Sequence, residues 1–358
     1  MRTRLTLFFG VFVVMALSNA IVPVLPSFAD SSSLQGAIYA AYFLGAVFST
    51  LPAGVLSDRL GRVPLIRLGL GITIVSGILL SVLSSPLPVI AIRFIEGVGA
   101  GCFIAAAMSY VNSVPEHERM SGYFMAMLNA GLVTGLVAAG WLSAYFDLPV
   151  IGVMLFTVCA VIPACTGFFI HEAPQLAPAH DTRLLLPLVS GYRWLWYSSV
   201  VMVGITGVVI SLYPEFSGLS SDIAGTWIAL MSVSTIIAVL IASRLSLPPV
   251  PTIRWSAVLM VFGVMIAFYS PSGFIVIGAL AGIVMIAQMA FLSSVKAPQG
   301  LAMGLFSTTS YLGMAVLPFL AGLVADSGGF FLALCAAAFC ALTVAITIGL
   351  CACGRPVS

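Results

Sequence analysis

Twelve apolar stretches, each near the length of a bilayer crossing, occupy almost the whole of this 358-residue chain. They run from Leu5 to Leu25, Leu34 to Leu56, Leu65 to Leu83, Leu87 to Val111, Phe124 to Ala144, Leu148 to Ile170, Trp194 to Tyr213, Ile223 to Ile241, Ile253 to Ser270, Phe274 to Leu292, Leu301 to Leu323 and Phe330 to Leu350. A helix needs about 20 apolar residues to cross a hydrocarbon core. The runs are too long and too unbroken for barrel strands, and backbone groups in lipid must be satisfied within their own segment. The expected fold is therefore an all-α membrane protein with twelve transmembrane helices.

Charge gives the chain a topology. Of the 13 basic residues, Arg2, Arg4, Arg59, Arg62, Arg67, Arg119, Arg183, Arg193, Arg244, Arg254, Lys296 and Arg355 fall at the termini or in every second gap. The alternate gaps hold Asp30, Asp147, Glu215, Asp222 and Asp326. The positive-inside rule places both termini in the cytoplasm of a multi-pass protein of the cytoplasmic membrane. Arg67 and Arg254 lie in the first turn of their spans and are expected to snorkel to the headgroups. Hydrophobic residues make up 61% and charged residues 7%, against about a quarter charged in soluble domains, so lipid is the partner of most of the surface. A net charge of +2 gives no reason to expect nucleic acid as a partner.

Met1 to Ala20 has the outline of a secretory signal, but apolar sequence continues to Leu25 and its removal would break the charge alternation. It is expected to stay as the first span. The seven cysteines (Cys102, Cys159, Cys165, Cys335, Cys340, Cys351 and Cys353) lie in spans or at the cytoplasmic end, where disulfides do not persist. No metal site is expected, and Cys351 and Cys353 are taken as small apolar residues ending a helix.

The chain also repeats itself. One offset superimposes Gly122 on Gly304, Phe124 on Phe306, Gly131 on Gly313, Ala139 on Ala321 and Gly140 on Gly322, pairing the fifth span with the eleventh. A closely similar offset places Ser49 on Ser234, Thr50 on Thr235, Arg59 on Arg244, Leu60 on Leu245 and Pro64 on Pro249. Copies of six spans keep the same orientation, so two parallel-repeat bundles are expected: residues 1–170, a cytoplasmic linker over 171–193, and residues 194–358. Pro174, Pro178 and Pro187 are expected to interrupt helix in the linker.

The most informative loop reads Gly54-Val55-Leu56-Ser57-Asp58-Arg59-Leu60-Gly61-Arg62. Arg59 and Arg62 suit the carbonyl end of a helix, and Gly61 suits a reversal of direction. This order of residues resembles the loop between the second and third helices of the major facilitator superfamily of transporters. Arg93 to Ala100 resembles that superfamily's fourth-helix pattern, with Glu96 where many members have glutamine. Pro115 to Arg119, including Glu116, followed by Gly122, is similar to its next cytoplasmic loop. The resemblance implies the major facilitator fold and a gating role for Gly54, Asp58, Arg59, Gly61, Arg62, Glu116 and Arg119. Gly122, Gly131, Gly135 and Gly140 are similar in spacing to the fifth-helix pattern of proton-coupled exporters, although Leu136 and Ala139 replace its proline and a glycine. With Gly304, Gly313 and Gly322 they are first of all helix-packing glycines. At the places equivalent to Asp58 and Gly61 the second copy has Ser243 and Ser246.

Arg93 and Glu96 are the ionisable residues well inside a span, and three residues apart they share a helix face. Arginine stays protonated, so Glu96 is the group able to exchange a proton. Asn19, Tyr39, Tyr42, Asn129 and Gln288 are expected to face the same cavity. Pro23, Pro26 and Pro318 are expected to bend their helices. Trp141, Trp194, Trp196, Tyr197 and Trp255, near span ends, are expected to anchor at the interface.

No catalytic grouping, metal cluster or phosphate-binding loop occurs, so neither an enzyme nor a nucleotide-driven pump is expected. The expected function is a secondary transporter, working as a monomer by alternating access, with proton-coupled export of a small solute and no cofactor beyond the proton gradient. Uptake, or a transporter-like receptor without flux, are the alternatives. Cysteines introduced singly at Asp58 and Arg119 should react with an impermeant thiol reagent only from the cytoplasmic side, and those at Asp30 and Asp326 only from the other. Labelling of Asp58 and Arg119 from opposite sides would refute the topology.

Overall fold

The structure, a computed structural model, describes residues 2–112, 117–170, 185–245, 247–293 and 299–350. Glu116, Arg183, Ser246, Lys296, Cys351, Cys353, Arg355 and the linker residues 171–184 lie outside the described residues, as do the side chains of Arg2, Arg4, Asp58, Arg59 and Arg119. Among the described residues the regular structure is helical throughout. The helices are α1 (Arg2–Ala20), α2 (Ser32–Leu60), α3 (Arg62–Val82), α4 (Pro86–Asn112), α5 (His117–Phe146), α6 (Ile151–Gly167), α7 (Leu185–Gly191), α8 (Arg193–Ser217), α9 (Ser221–Ala242), α10 (Pro249–Tyr269), α11 (Gly273–Ser293) and α12 (Gln299–Thr347).

Twelve crossings are present in these helices. Ten are long and apolar enough by length and composition, and α6 adds a shorter one of 17 residues. The last comes from α12, whose 49 residues contain a break at Gly329, with φ of 82° and ψ of 166°. That backbone conformation suits a residue without a Cβ. Gly61 (φ 86°) plays the same part between α2 and α3.

Two expectations about local structure need correction. Leu185–Gly191 is a helix although Pro187 stands in it. As the third helical residue, Pro187 falls where the backbone N–H has no intrahelical acceptor to lose. Trp196, expected at the lipid interface, is buried, and its Nε1 donates to the Leu188 carbonyl at 3.1 Å, tying α7 to α8. Trp141 and Trp255 do point outward, with 55% and 66% of their surface exposed. Pro23 and Pro26 sit in a 3-10 helix, Val22–Ser27, that follows α1.

The contacts group the chain into two compact units. The first takes Met1–Asp30, Ala37–Ala179 and Pro214–Ala229; the second takes Ser31–Gly36, His180–Tyr213 and Leu230–Ser358. The linker is thus not the sole point where the chain passes from one unit to the other: α2, α8 and α9 all do so along their length.

Within the first unit, Leu7, Val11, Val14, Ile66, Leu70, Phe103 and Phe124 belong to one buried apolar cluster. Lipid tails are as apolar as these side chains, so close backbone approach contributes as much as apolar burial. A Cβ on Gly45 would run into the Phe94 carbonyl, and one on Gly97 into the Tyr42 carbonyl. Paired glycines thereby bring α2 and α4 together on both sides of one contact.

Arg67, expected to reach toward headgroups, makes three contacts with the end of α6. Its Nε donates to the Gly167 carbonyl, and its Nη2 to those of Phe168 and Ile170, each at 3.0 Å. The last carbonyls of a helix lack intrahelical donors and carry partial negative charge, so a guanidinium at the end of α6 meets both needs. In the second unit the Arg254 guanidinium stands where a Cβ on Gly349 would be, just beyond α12. Replacing Arg67 by methionine should therefore cost about 1 to 2 kcal/mol of stability, seen as earlier thermal unfolding in detergent. An unchanged unfolding temperature would show that water serves those carbonyls equally well.

Candidate functional site

The polar centre of the first unit is built on α4. Arg93 and Glu96 are each only 1% exposed, and Arg93 Nη1 donates to Glu96 Oε2 at 2.7 Å. Three residues apart on one helix, they meet on a shared face. Two further helices complete the surroundings of the guanidinium. From α1, the Ser18 carbonyl accepts from Arg93 Nη2 at 3.1 Å. From α2, the Tyr42 ring lies with its centroid 4.7 Å from the guanidinium carbon. A cation over an aromatic face is attracted to the ring's negative quadrupole, more so when both are desolvated.

The Ser18 carbonyl is the contact that a residue-by-residue reading of the spans missed. Ser18 is among the last four residues of α1, whose carbonyls have no partner one turn on. Pro23, which has no N–H to donate, stands just beyond. The end of the helix was itself the available signal, because its last carbonyls lack intrahelical donors. Gly45 and Gly97 are the other residues not singled out: they set the α2–α4 spacing that puts Tyr42 over Arg93.

Among the described residues, Glu96 Oε1 and Arg93 Nε have no hydrogen-bond partner. A buried polar atom without a partner is costly and marks a place where something else binds. The pair is therefore half satisfied, with one acceptor on Glu96 open to a proton or a donor.

The other expected cavity residues separate. Tyr39 lies one helical turn before Tyr42, is 2% exposed and packs its ring 5.1 Å from Phe43. It joins Tyr42 on the Arg93 side of α2. Asn19 donates to the Leu132 carbonyl at 3.3 Å, joining α1 to α5. Asn129 donates to the Met125 carbonyl of its own helix at 2.8 Å. Gln288 belongs to the second unit, is fully buried and donates from Nε2 to Ser198 Oγ at 2.9 Å.

The gate-loop residues are placed as follows. Gly54 is in α2 with open space beside it, and Gly61 forms the turn into α3. Arg62 is 9% exposed and its Nε donates to Ser109 Oγ of α4 at 2.9 Å. Of the repeated glycines, Gly131 and Gly135 approach the Phe12 and Ala16 carbonyls of α1, and Gly313 approaches the Val200 carbonyl of α8. The fifth span thus packs on the first as the eleventh packs on the seventh. Gly122 lies in α5 and Gly304 in α12. Gly140 and Gly322 meet the starts of α9 and α2.

Three kinds of comparison bear on this arrangement. The family model described as Major Facilitator Superfamily matches residues 7–316. Multidrug resistance protein 2 of Bacillus subtilis is 25% identical over 351 residues, covering 88% of this chain and 87% of that protein. Quinolone resistance protein NorA of Staphylococcus aureus is 24% identical over 228 residues, covering 60% of this chain and 55% of that protein. Among solved structures, the nucleoside transporter NupG has a TM-score of 0.76 at 14% identity, covering 99% of this chain and all of that one. A bacterial homologue of the human lysosomal transporter Spinster has a TM-score of 0.74 at 13% identity, covering 98% and 94%. At such identities the structural likeness speaks for the fold.

Burial of both charges sets the energetics of the Arg93–Glu96 pair. Glu96→Leu leaves a desolvated guanidinium with its carboxylate gone and should cost about 3 to 5 kcal/mol. The double replacement Arg93→Met with Glu96→Leu removes both charges and should regain most of that loss. Thermal unfolding of the two variants in one detergent makes the comparison, and equal unfolding temperatures would contradict it.

Proposed function

Because the chain belongs to the major facilitator superfamily, a family of transporters and not of enzymes, we propose that it is a monomeric secondary transporter of the cytoplasmic membrane that exports a small, partly apolar solute in exchange for protons. Membership makes it a multi-pass carrier of small molecules. The direction of transport and the coupling ion are the proposal, with both termini in the cytoplasm.

The observation that carries the proposal is the buried Arg93–Glu96 pair with Glu96 Oε1 left open. A fixed ion pair is a weak stabilising device, since apolar replacement of both partners is often neutral or better. Its place in the middle of α4 calls for another reason, and charges inside membrane spans commonly mark ion or substrate paths. Glu96 can take a proton on Oε1 while Oε2 remains near Arg93. Protonation removes the carboxylate charge and leaves the guanidinium held by the Ser18 carbonyl and the Tyr42 ring alone. Two charge states of one pair then correspond to two conformational preferences, which is what coupling an ion to a rocking carrier requires.

Export is favoured because a relative matched along 88% of this chain is named for multidrug resistance, and one matched along 60% of it for quinolone resistance. A partly apolar solute suits the aromatic surroundings of Tyr39, Tyr42 and Phe43.

Glu96→Gln keeps the shape and a hydrogen-bond acceptor but cannot exchange a proton. In proteoliposomes carrying a lumenal pH dye, the wild-type protein should move protons on addition of an apolar cationic or neutral test solute. The variant should lose that signal while eluting and unfolding as a folded protein. Proton movement retained in Glu96→Gln would remove Glu96 from the mechanism.

A further inference from the structure

α7 has only seven residues, and helices that short do not hold together in water on their own propensity. One side of it is held by protein. Leu188 is buried and its carbonyl accepts from Trp196 Nε1, while the ring of Tyr192, in the turn that follows, lies 5.9 Å from that of Phe291 in the last turn of α11. All of these residues belong to the second unit. The opposite side faces outward. Leu186 is 78% exposed and Val189 37% exposed, and three residues apart they share a face. Ser190, also exposed, returns its hydroxyl to the Pro187 carbonyl at 3.2 Å. That face therefore presents two apolar side chains and a hydroxyl already bonded within the helix.

The level at which this face lies follows from its neighbours. α8 starts at Arg193 and α11 ends at Ser293, and both are long and apolar enough to cross a bilayer. α7 is joined to the first through Tyr192 alone and touches the end of the second through the same residue, so it lies where the hydrocarbon gives way to headgroups. Apolar side chains at that level enter the boundary between headgroups and acyl chains.

Charge adds a second feature. From Leu185 to Tyr213 the chain has a single charged residue, Arg193. Arg67 and Arg254, at the starts of other spans, are turned to backbone at helix ends. Arg193 is exposed instead, with its guanidinium carbon 5.2 Å from the centre of the Trp194 ring, and among the described residues no carboxylate pairs with it. Stacking occupies the face of a guanidinium and leaves the N–H groups in its plane free, in a fork that matches two oxygens of a phosphate.

We infer that α7 and Arg193 form a docking surface for anionic phospholipid in the leaflet at this end of α8. Leu186 and Val189 sit among the upper acyl chains, and the Arg193 guanidinium meets a headgroup phosphate. A zwitterionic headgroup carries its own cation beside the phosphate, so a headgroup of net negative charge is preferred. The surface holds the start of the second unit at the membrane boundary whatever solute or ion the protein carries.

Hydrogen exchange of the full chain, read by mass spectrometry, tests this in nanodiscs of phosphatidylcholine alone and of phosphatidylcholine mixed with phosphatidylglycerol. Amides of α7 should exchange about fivefold more slowly where phosphatidylglycerol is present, the factor expected for one arginine at an anionic surface. Arg193→Gln should abolish the difference between the two lipids. Arg244→Gln, which removes another exposed charge of the second unit, should preserve it. Leu186→Ser combined with Val189→Ser should speed exchange of α7 in both kinds of disc. Equal exchange of the unaltered protein in the two lipids would overturn the inference, as would an unchanged rate in the double serine variant. A loss in Arg244→Gln as large as that in Arg193→Gln would also overturn it, because the overall charge of the surface would then account for the effect.

Discussion

Hydrocarbon offers no hydrogen bonds, and every polar group placed in it has to be answered by the chain itself. That constraint turns the twelve apolar stretches into helices. It also explains the few polar contacts between helices. Arg67 serves three carbonyls at the end of α6, Asn19 reaches a carbonyl of α5, and Gln288 pairs with Ser198. Among the described residues the answer is incomplete in a few places: Gln288 Oε1, Arg93 Nε and Glu96 Oε1 have no hydrogen-bond partner, and of these residues Glu96 is the one that can take a proton.

Helix association in this protein relies on small residues. Gly45 and Gly97 face each other's helix backbones, Gly131 and Gly135 lie on α1, and Gly313 lies on α8. These contacts set distances to within an atom's width. Tyr42 stands over Arg93 because Gly97 lets the Tyr42 backbone come so near. The same device recurs at the starts of α2 and α9, where Gly322 and Gly140 meet backbone, Asp326 accepts two N–H groups of α2, and Ser221 donates to the Gly140 carbonyl.

Much of the fold could be read in advance because its signals are local and long. Span limits follow apolar runs, the turn at Gly61 follows its residue type, and the break at Gly329 falls just before the expected start of the last span at Phe330. The candidate site was partly legible for a similar reason: a charged pair three residues apart inside an apolar run is conspicuous. Its surroundings were not. Ser18 acts through a backbone carbonyl, which no side chain advertises. Asn129 and Asn19 resemble cavity residues in sequence, yet they bond to carbonyls of α5. Trp196 shows the limit of interfacial reasoning, since a position near a span end turned inward once α7 offered the Leu188 carbonyl.

By itself the amino-acid order determined that this protein crosses the membrane many times as helices, that its halves are related, and that Arg93 and Glu96 share a face. Each of these follows from periodicity, length or spacing along one segment. Only tertiary structure decided that Arg93 is held by α1 and α2, that Glu96 keeps an oxygen open, and that Asp326 caps α2. Those features depend on which backbones come close enough to exchange hydrogen bonds, and in a chain packed through glycines that distance is set jointly by two helices.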